Sequence, residues 1–225
     1  MCALTWQLQS ARVRARAFVK AVLFLAVPLL GMAPGVASGQ SPASRMAVTY
    51  VEGSVNVNGQ QVPENETNLP LIEGSVVRTG KGRAEVIFGR GGTMFVAENS
   101  SGGVKHDSVG FPELEILGGS AVIITGGTET AVTCVQRVYL SDAGIYRFDA
   151  HRNVNVGADW CRLKVYRGAA SVQEPSFVWV LTSGKGINLN RTCGDHTPRD
   201  EFDTADIDDF DRWSRQHAEA AVRQH

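Results

Sequence analysis

Acidic residues are absent from the first 51 positions of this 225-residue chain, and the later positions hold all 23 Asp and Glu. Four basic residues precede an apolar run: Arg12, Arg14, Arg16 and Lys20. The run, Ala21–Ala33, has 13 residues, fewer than the about 20 that a membrane-spanning helix needs. Small residues follow at Ala37-Ser38-Gly39. This order predicts a signal peptide over residues 1–39, a polar leader over 40–46 and no transmembrane span after signal removal.

A basic surface is also lacking once the signal peptide is removed. The chain has 22 Lys and Arg, and loss of the four basic residues leaves 18 against 23 acidic residues, a net charge of −5. Broad binding of nucleic acid needs a basic stripe, so no nucleic-acid partner is predicted. The sequence instead predicts a periplasmic or secreted protein, long enough to form a hydrophobic core of its own.

Motifs of the common catalytic and metal sites are missing as well. The chain has neither a Gly-x-Ser-x-Gly elbow nor a Cys-x-x-Cys pair. His106 lies beside an Asp and a Ser, but neighbouring residues on an extended chain point in opposite directions. A zinc site of Cys134, Cys161, Cys193 and His196 is the metal alternative, and an oxidising compartment disfavours it. We therefore predict no enzyme activity, no catalytic residue, no cofactor and no metal.

Cysteine is scarce, with three residues left in the predicted exported chain: Cys134, Cys161 and Cys193. In an oxidising compartment two of them can pair and one is left over. Cys161 and Cys193 bracket a hairpin-like stretch, which favours a disulfide between them and leaves Cys134 free and buried. The other two pairings stay open at this point.

Alternation of apolar and polar residues, with a glycine inside the run, is the dominant pattern of the exported chain. Five runs share it: Tyr50–Val57, Leu71–Val77, Leu114–Ile124, Val165–Val172 and Val178–Leu189. Alternation with period two predicts strands that bury one face, and an internal glycine lets a strand bulge or bend. We therefore predict an all-β fold of short bent strands, arranged as a roll or a solenoid-like module.

The most specific pattern lies in Leu71–Val122. It contains a Thr79-Gly80 step, a hairpin with the turn Gly89-Arg90-Gly91-Gly92, and a closing hydrophobic strand over Leu114–Val122. This order of elements resembles the FecR family of cell-envelope domains. The resemblance implies a β module with a binding or structural role, and not an enzyme.

The resemblance also implies a domain organisation and a role. It implies a FecR-like β domain over residues 47–126 and a second β portion over 127–192 that continues the module. Members of the family relay a signal from an outer-membrane receptor to a cytoplasmic sigma factor. The function we predict is an exported, non-catalytic module that interacts with an envelope protein or polymer. The alternative is a periplasmic signalling regulator that acts with a membrane anti-sigma or receptor partner.

Residues 203–223 change to a helical pattern. Ile207, Phe210 and Trp213 are three residues apart and fall on one face of a helix. We predict a C-terminal amphipathic helix over this range, capped near Asp203, with Phe210 and Trp213 as its interaction anchors. Because the apolar stripe provides one packing face, docking onto the chain's own β body is favoured over docking to a partner.

Alternation further predicts which side chains of the FecR-like segment point into the core. The residues of the inward parity are Val86, Phe88, Phe95, Leu114 and Ile116.

Overall fold

Strands make up most of the structure, as the alternating runs predict, and one helix follows them. The computed structural model describes residues 46–64, 68–89, 91–106, 112–126, 130–152, 159–173, 178–190 and 200–223. The predicted signal peptide, Cys193 and His196 lie outside the described residues. The elements are β1 Ala47–Val57, β2 Gln60–Val62, β3 Leu69–Pro70, β4 Val76–Phe88, β5 Gly92–Val96, β6 Ser101–His106, β7 Pro112–Thr125, β8 Thr130–Cys134, β9 Gln136–Leu140, β10 Gly144–Arg152, β11 Asp159–Arg167, β12 Ala169–Gln173, β13 Val178–Thr182, β14 Lys185–Asn190, β15 Asp200–Glu201 and α1 Asp209–Arg223.

Strands β4 and β7 are long, and both pair with β5 and with β6 at different points along their length. The first part of β4 pairs with β6 and the last part with β5. Strand β7 also pairs with β6 first and β5 afterwards, so β5 and β6 lie end to end between β4 and β7. The sheet continues from β7 through β10, β11, β14 and β15 in one direction, and through β8, β9, β12 and β13 in the other. The predicted all-β fold with a C-terminal helix is confirmed, and the later strands extend the sheet of the earlier ones.

The Thr79-Gly80 step holds the bend of β4 to a neighbouring turn. The Thr79 hydroxyl donates to the carbonyl of Ala97 at 2.5 Å and accepts the N–H of Ser100 at 2.9 Å. The N–H of Asn99 donates to the carbonyl of Gly80 at 2.8 Å. Ser100 Oγ in turn accepts the N–H of Ser120 on β7 at 2.9 Å. These bonds satisfy backbone groups that lose their ladder partners at the bend, which gives the motif a structural reason.

Strands β1 and β4 approach most closely at a pair of glycines. Gly53 and Gly82 are register partners, and the register shifts directly after them. A Cβ on Gly82 would lie 2.3 Å from the backbone oxygen of Glu52, and Gly53 has a φ of 65°. Neither position accepts a side chain without moving the backbone, so both glycines are needed where the two strands bend together.

The interior of the roll is one large apolar cluster. It contains four of the five residues that were predicted to face the core: Val86, Phe88, Leu114 and Ile116. Phe95 is also fully buried, but it belongs to a second cluster beneath α1. Its neighbours Met94 and Val96 belong to the main core. Strand β5 is covered on both faces, so Phe95 is buried as predicted, but alternation does not distinguish its face, beneath α1, from that of Met94 and Val96.

A disulfide crosses the core, between cysteines other than the predicted pair. Cys134 at the end of β8 is bonded to Cys161 on β11, with their Cα atoms 6.1 Å apart. Both side chains are almost completely buried. The predicted Cys161–Cys193 bridge and the free Cys134 are therefore wrong. The hairpin-like stretch between Cys161 and Cys193 suggested that bridge, whereas the observed pair forms because β8 and β11 present Cys134 and Cys161 to one interior.

The helix begins later than predicted, at Asp209 and not near Asp203. Asp208 Oδ1 accepts the N–H of Asp211 at 2.9 Å, and Asp211 Oδ2 accepts the N–H of Asp208 at 3.3 Å. This reciprocal arrangement is a capping box with Asp208 as the N-cap. Asp203 instead closes a turn, in which its Oδ1 accepts the N–H of Ala205 at 2.9 Å. Among the described residues, no helix is long and apolar enough to cross a bilayer.

Candidate functional site

Helix α1 docks on the outer face of the sheet, where it uses both predicted anchors. Phe210 is buried, and Trp213 packs with it against Phe95 and Val122. The prediction that the helix packs on its own β body is confirmed. Because Phe210 and Trp213 are occupied inside the molecule, they are not presented to a partner while α1 is docked.

Aromatic contacts surround Trp213. Its ring meets Phe95 edge-on, with centroids 5.7 Å apart and planes at 85°. His217 lies 4.4 Å from the Trp213 ring and 4.6 Å from the Tyr50 ring, so it connects the helix to β1. The guanidinium of Arg83 covers Trp213 at 5.3 Å from the ring centroid. These contacts give the docked helix a defined orientation as well as buried area.

A network of charged groups centred on Arg147 clamps the first turn of α1. Arg147 Nη1 donates to Asp208 at 2.5 Å and to Asp211 at 2.9 Å, and its Nε donates to Asp149 at 3.0 Å. Tyr166 donates its hydroxyl hydrogen to Asp211 at 2.9 Å. The Asp211 side chain is only 2% exposed and that of Arg147 13%. Each charge is thus taken out of water together with partners that compensate it.

The pKa shifts of Asp208, Arg147 and Tyr166 follow from burial and from that pairing. Burial alone would raise the pKa of Asp208, but the N–H of Asp211 and the guanidinium of Arg147 outweigh burial and hold the pKa below its usual range. Burial would lower the pKa of Arg147, yet its three aspartates hold it above its ordinary value. Burial and the hydrogen bond to Asp211 both raise the pKa of Tyr166. Asp208 and Arg147 therefore stay charged and the Tyr166 hydroxyl stays protonated around neutral pH, which suits a clamp and not a proton-transfer site.

An open cleft lies beside the clamp. Its lining residues are Arg83, Ala97, Glu98, Ser120, Arg147, Asp208, Asp209 and Phe210. The charged groups of the lining are paired in the structure: Arg83 with Glu98, Arg147 with Asp208, and Asp209 with Arg212. Within the described ranges, no three His, Cys, Asp or Glu residues are placed to hold a metal ion. The cleft therefore lacks the unpaired charge that would attract an ionic ligand.

A surface that the sequence did not single out lies on the outer face of β13. Val178 and Val180 are 57% and 56% exposed, although Leu181 on the same strand is fully buried. Val180 is the register partner of Ser171, which pairs onward with Tyr139. We call Val178, Val180, Ser171, Tyr139 and Arg137 the valine surface. Alternation missed it because residues 178–181 are all apolar, so the sequence does not show which of them face outward.

The charged border of the valine surface is held by a buried acid. Arg137 forms an ion pair with Glu113, whose side chain is 7% exposed. Thr133 also donates a hydrogen bond to Glu113. The hydrogen bond from Arg137 lowers the pKa of Glu113 and outweighs the opposing effect of burial. Arg137 additionally lies 6.0 Å from the Tyr139 ring centroid. These contacts fix Arg137 and Tyr139 beside the exposed valines.

Comparison with known proteins finds partial structural similarity to two solved structures. No protein-family model matches the chain, and no curated protein matches it at a significant level. Two solved crystal structures of candidate anti-sigma factors from Parabacteroides distasonis are similar to it in part. One is 17% identical over 57% of this chain, with a TM-score of 0.44, and the other is 15% identical over 71%, with a TM-score of 0.36. The matched regions cover 60% of each of those chains. At such similarity, function does not transfer from either protein.

Proposed function

We propose that the protein is an exported, non-catalytic FecR-like module that regulates an envelope signalling system by binding a membrane partner protein through the valine surface. The observation that carries this proposal is the exposure of Val178 and Val180 on a sheet whose opposite face forms the core. Exposed apolar side chains that lie together, bordered by polar groups, mark protein-interaction sites.

The composition of the valine surface fits a protein partner. Tyrosine and arginine are the side chains that most often anchor protein interfaces, and here Tyr139 and Arg137 flank the valines. The position of Arg137 is fixed in advance by its ion pair with Glu113, so binding does not have to order this side chain. The strand pairs across β13, β12 and β9 provide a continuous backing for the surface.

Export is supported by the disulfide and by the resemblance. Disulfides persist in the periplasm and outside the cell, whereas the cytosol keeps most cysteines reduced. The bond between Cys134 and Cys161 joins two core strands, as a structural disulfide does. The Thr79-Gly80 step and the glycine-turn hairpin, on which the resemblance to FecR domains rests, have defined structural roles in the fold.

Cross-linking in intact cells, followed by mass spectrometry, tests the proposal with a matched pair of variants. The double variant Val178→Glu/Val180→Glu places charge on the valine surface. Ile72→Glu makes the same kind of change at a side chain that is 72% exposed in the turn after β3. We expect the wild type and Ile72→Glu to capture the same membrane regulator and the double variant to lose it.

Melting curves establish that both variants are folded before their partners are compared. Capture of one membrane protein by all three forms would rule out the valine surface as its binding site. Absence of any membrane protein from the wild-type cross-links would contradict the signalling role itself.

A further inference from the structure

An exposed aromatic pair lies on the outer face of the sheet, on the same face of β10 as Arg147 and Asp149 of the clamp. Trp160 on β11 and His151 on β10 are register partners. Their rings stack with centroids 4.3 Å apart and planes at 20°. Trp160 remains 39% exposed although one ring face contacts His151. The indole therefore has one ring face against the imidazole, while part of its apolar area is in contact with solvent.

Polar side chains occupy the next row of the same face. Asp149 pairs in register with Arg162, and Arg162 pairs onward with Asn188. Residues two apart on a strand are separated by about 6–7 Å, so this row runs alongside the aromatic pair. Asn188 is exposed, and the side chain of Arg162 is 35% exposed. The row thus places the guanidinium of Arg162 and the amide of Asn188, both planar hydrogen-bonding groups, beside the Trp160 ring.

The charges of this row are already compensated by protein groups. Arg162 forms an ion pair with Asp200. Asp149 accepts hydrogen bonds from Arg147 at 3.0 Å and from the Ser120 hydroxyl at 2.6 Å. A charged ligand would have to compete with these partners. A neutral ligand that is rich in hydroxyl groups needs only the donor and acceptor positions that remain.

We propose that this face, formed by Trp160, His151, Arg162 and Asn188, binds a neutral pyranose chain of the cell envelope. A pyranose ring has an apolar face of C–H groups that packs flat on indole, while its edge carries hydroxyls for planar polar side chains. The aromatic pair and the polar row lie side by side along the strands, an arrangement that fits successive units of a chain. The binding is distinct from protein recognition by the valine surface, and a module with both sites connects its partner protein to the wall polymer.

Direct binding to glycans tests this site. Isothermal titration calorimetry would measure the affinity of the purified mature protein for N-acetylglucosamine oligomers and for β-linked glucose oligomers. Co-sedimentation with protein-free peptidoglycan sacculi tests the polymer itself. We expect binding of at least one of the two oligomers, and Trp160→Ala should weaken it at least tenfold. The oligomer that binds identifies the source, an amino-sugar wall polymer or a glucan.

Two further variants separate ring stacking from folding. Trp160→Phe keeps an aromatic plate and should retain most of the affinity, whereas His151→Ala removes the support and should weaken binding less than Trp160→Ala does. Val178→Glu/Val180→Glu should bind the glycan like the wild type, because the valine surface takes no part. If neither oligomer nor sacculi bind the wild type, or if a folded Trp160→Ala variant binds undiminished, the proposal is wrong. Each result is independent of whether a membrane protein is captured.

Discussion

Arg147 on β10 and Asp211 in the first turn of α1 form the most deeply buried ion pair of the helix clamp, with Nη1 and Oδ2 2.9 Å apart. Asp211 binds Arg147 on the sheet, and it also forms the capping box of α1 together with Asp208. The start of the helix and its docking are consequently set by the same carboxylate. A change at Arg147 should therefore affect how firmly α1 is held to the sheet.

Replacement of Arg147 by methionine should destabilise the protein by about 3 kcal/mol, because it leaves a buried carboxylate without its counter-charge. Urea unfolding of the mature protein measures this loss. The matched control is Arg162→Met, which removes an arginine from a more exposed pair with Asp200 and should cost less than about 1 kcal/mol. Equal losses in the two variants would contradict the special role of the buried clamp.

Acid should weaken the clamp through Asp208. Its folded-state pKa lies below the ordinary 3.8, so its contribution to stability is fully present above the unfolded pKa. That contribution is lost as the pH falls below about 4, through the folded pKa. Asp208→Asn keeps an N-cap acceptor but removes the charge, so its unfolding midpoint should depend less on pH in this range. Urea midpoints between pH 3 and 7 test this, with Asp209→Asn on the exposed helix surface as the control.

Local patterns predicted the strands and hairpins of this fold well. The predicted hairpin pairs β4 with β5, and the alternation of β4 identified Val86 and Phe88 as core residues. Such features depend on neighbours in the chain, whose spacing the sequence states directly.

Features that depend on distant strands could not be read in this way. Cys134 and Cys161 meet only because the sheet closes around one interior, so their pairing needs the topology. Phe95 faces α1 because a helix more than 100 residues later in the chain covers β5. The aromatic pair of His151 and Trp160 depends on the register of β10 against β11, which no local motif fixes.

Loss of the Cys134–Cys161 disulfide should cost about 3–4 kcal/mol, the chain-entropy estimate for a closed loop of this length. The two cysteines are 27 positions apart. Cys134→Ala/Cys161→Ala, compared with Cys193→Ala by urea unfolding, tests the assignment, and a non-reduced peptide map identifies the bridge directly. A map that joins Cys161 to Cys193 would contradict the structure.

The contact between Phe95 and Trp213 should appear as an energetic coupling between sheet and helix. Phe95→Ala and Trp213→Ala should each destabilise the protein, and an edge-on aromatic pair adds about 1 kcal/mol beyond burial. The double variant should therefore lose less than the sum of the single losses by about that amount.

Phe88→Ala serves as the control, because Phe88 belongs to the main core and not to the cluster beneath α1. Combined with Trp213→Ala, it should give losses that add within about 0.5 kcal/mol. Equal coupling in the two cycles, measured by urea unfolding, would mean that the helix and the core do not form separate packing units.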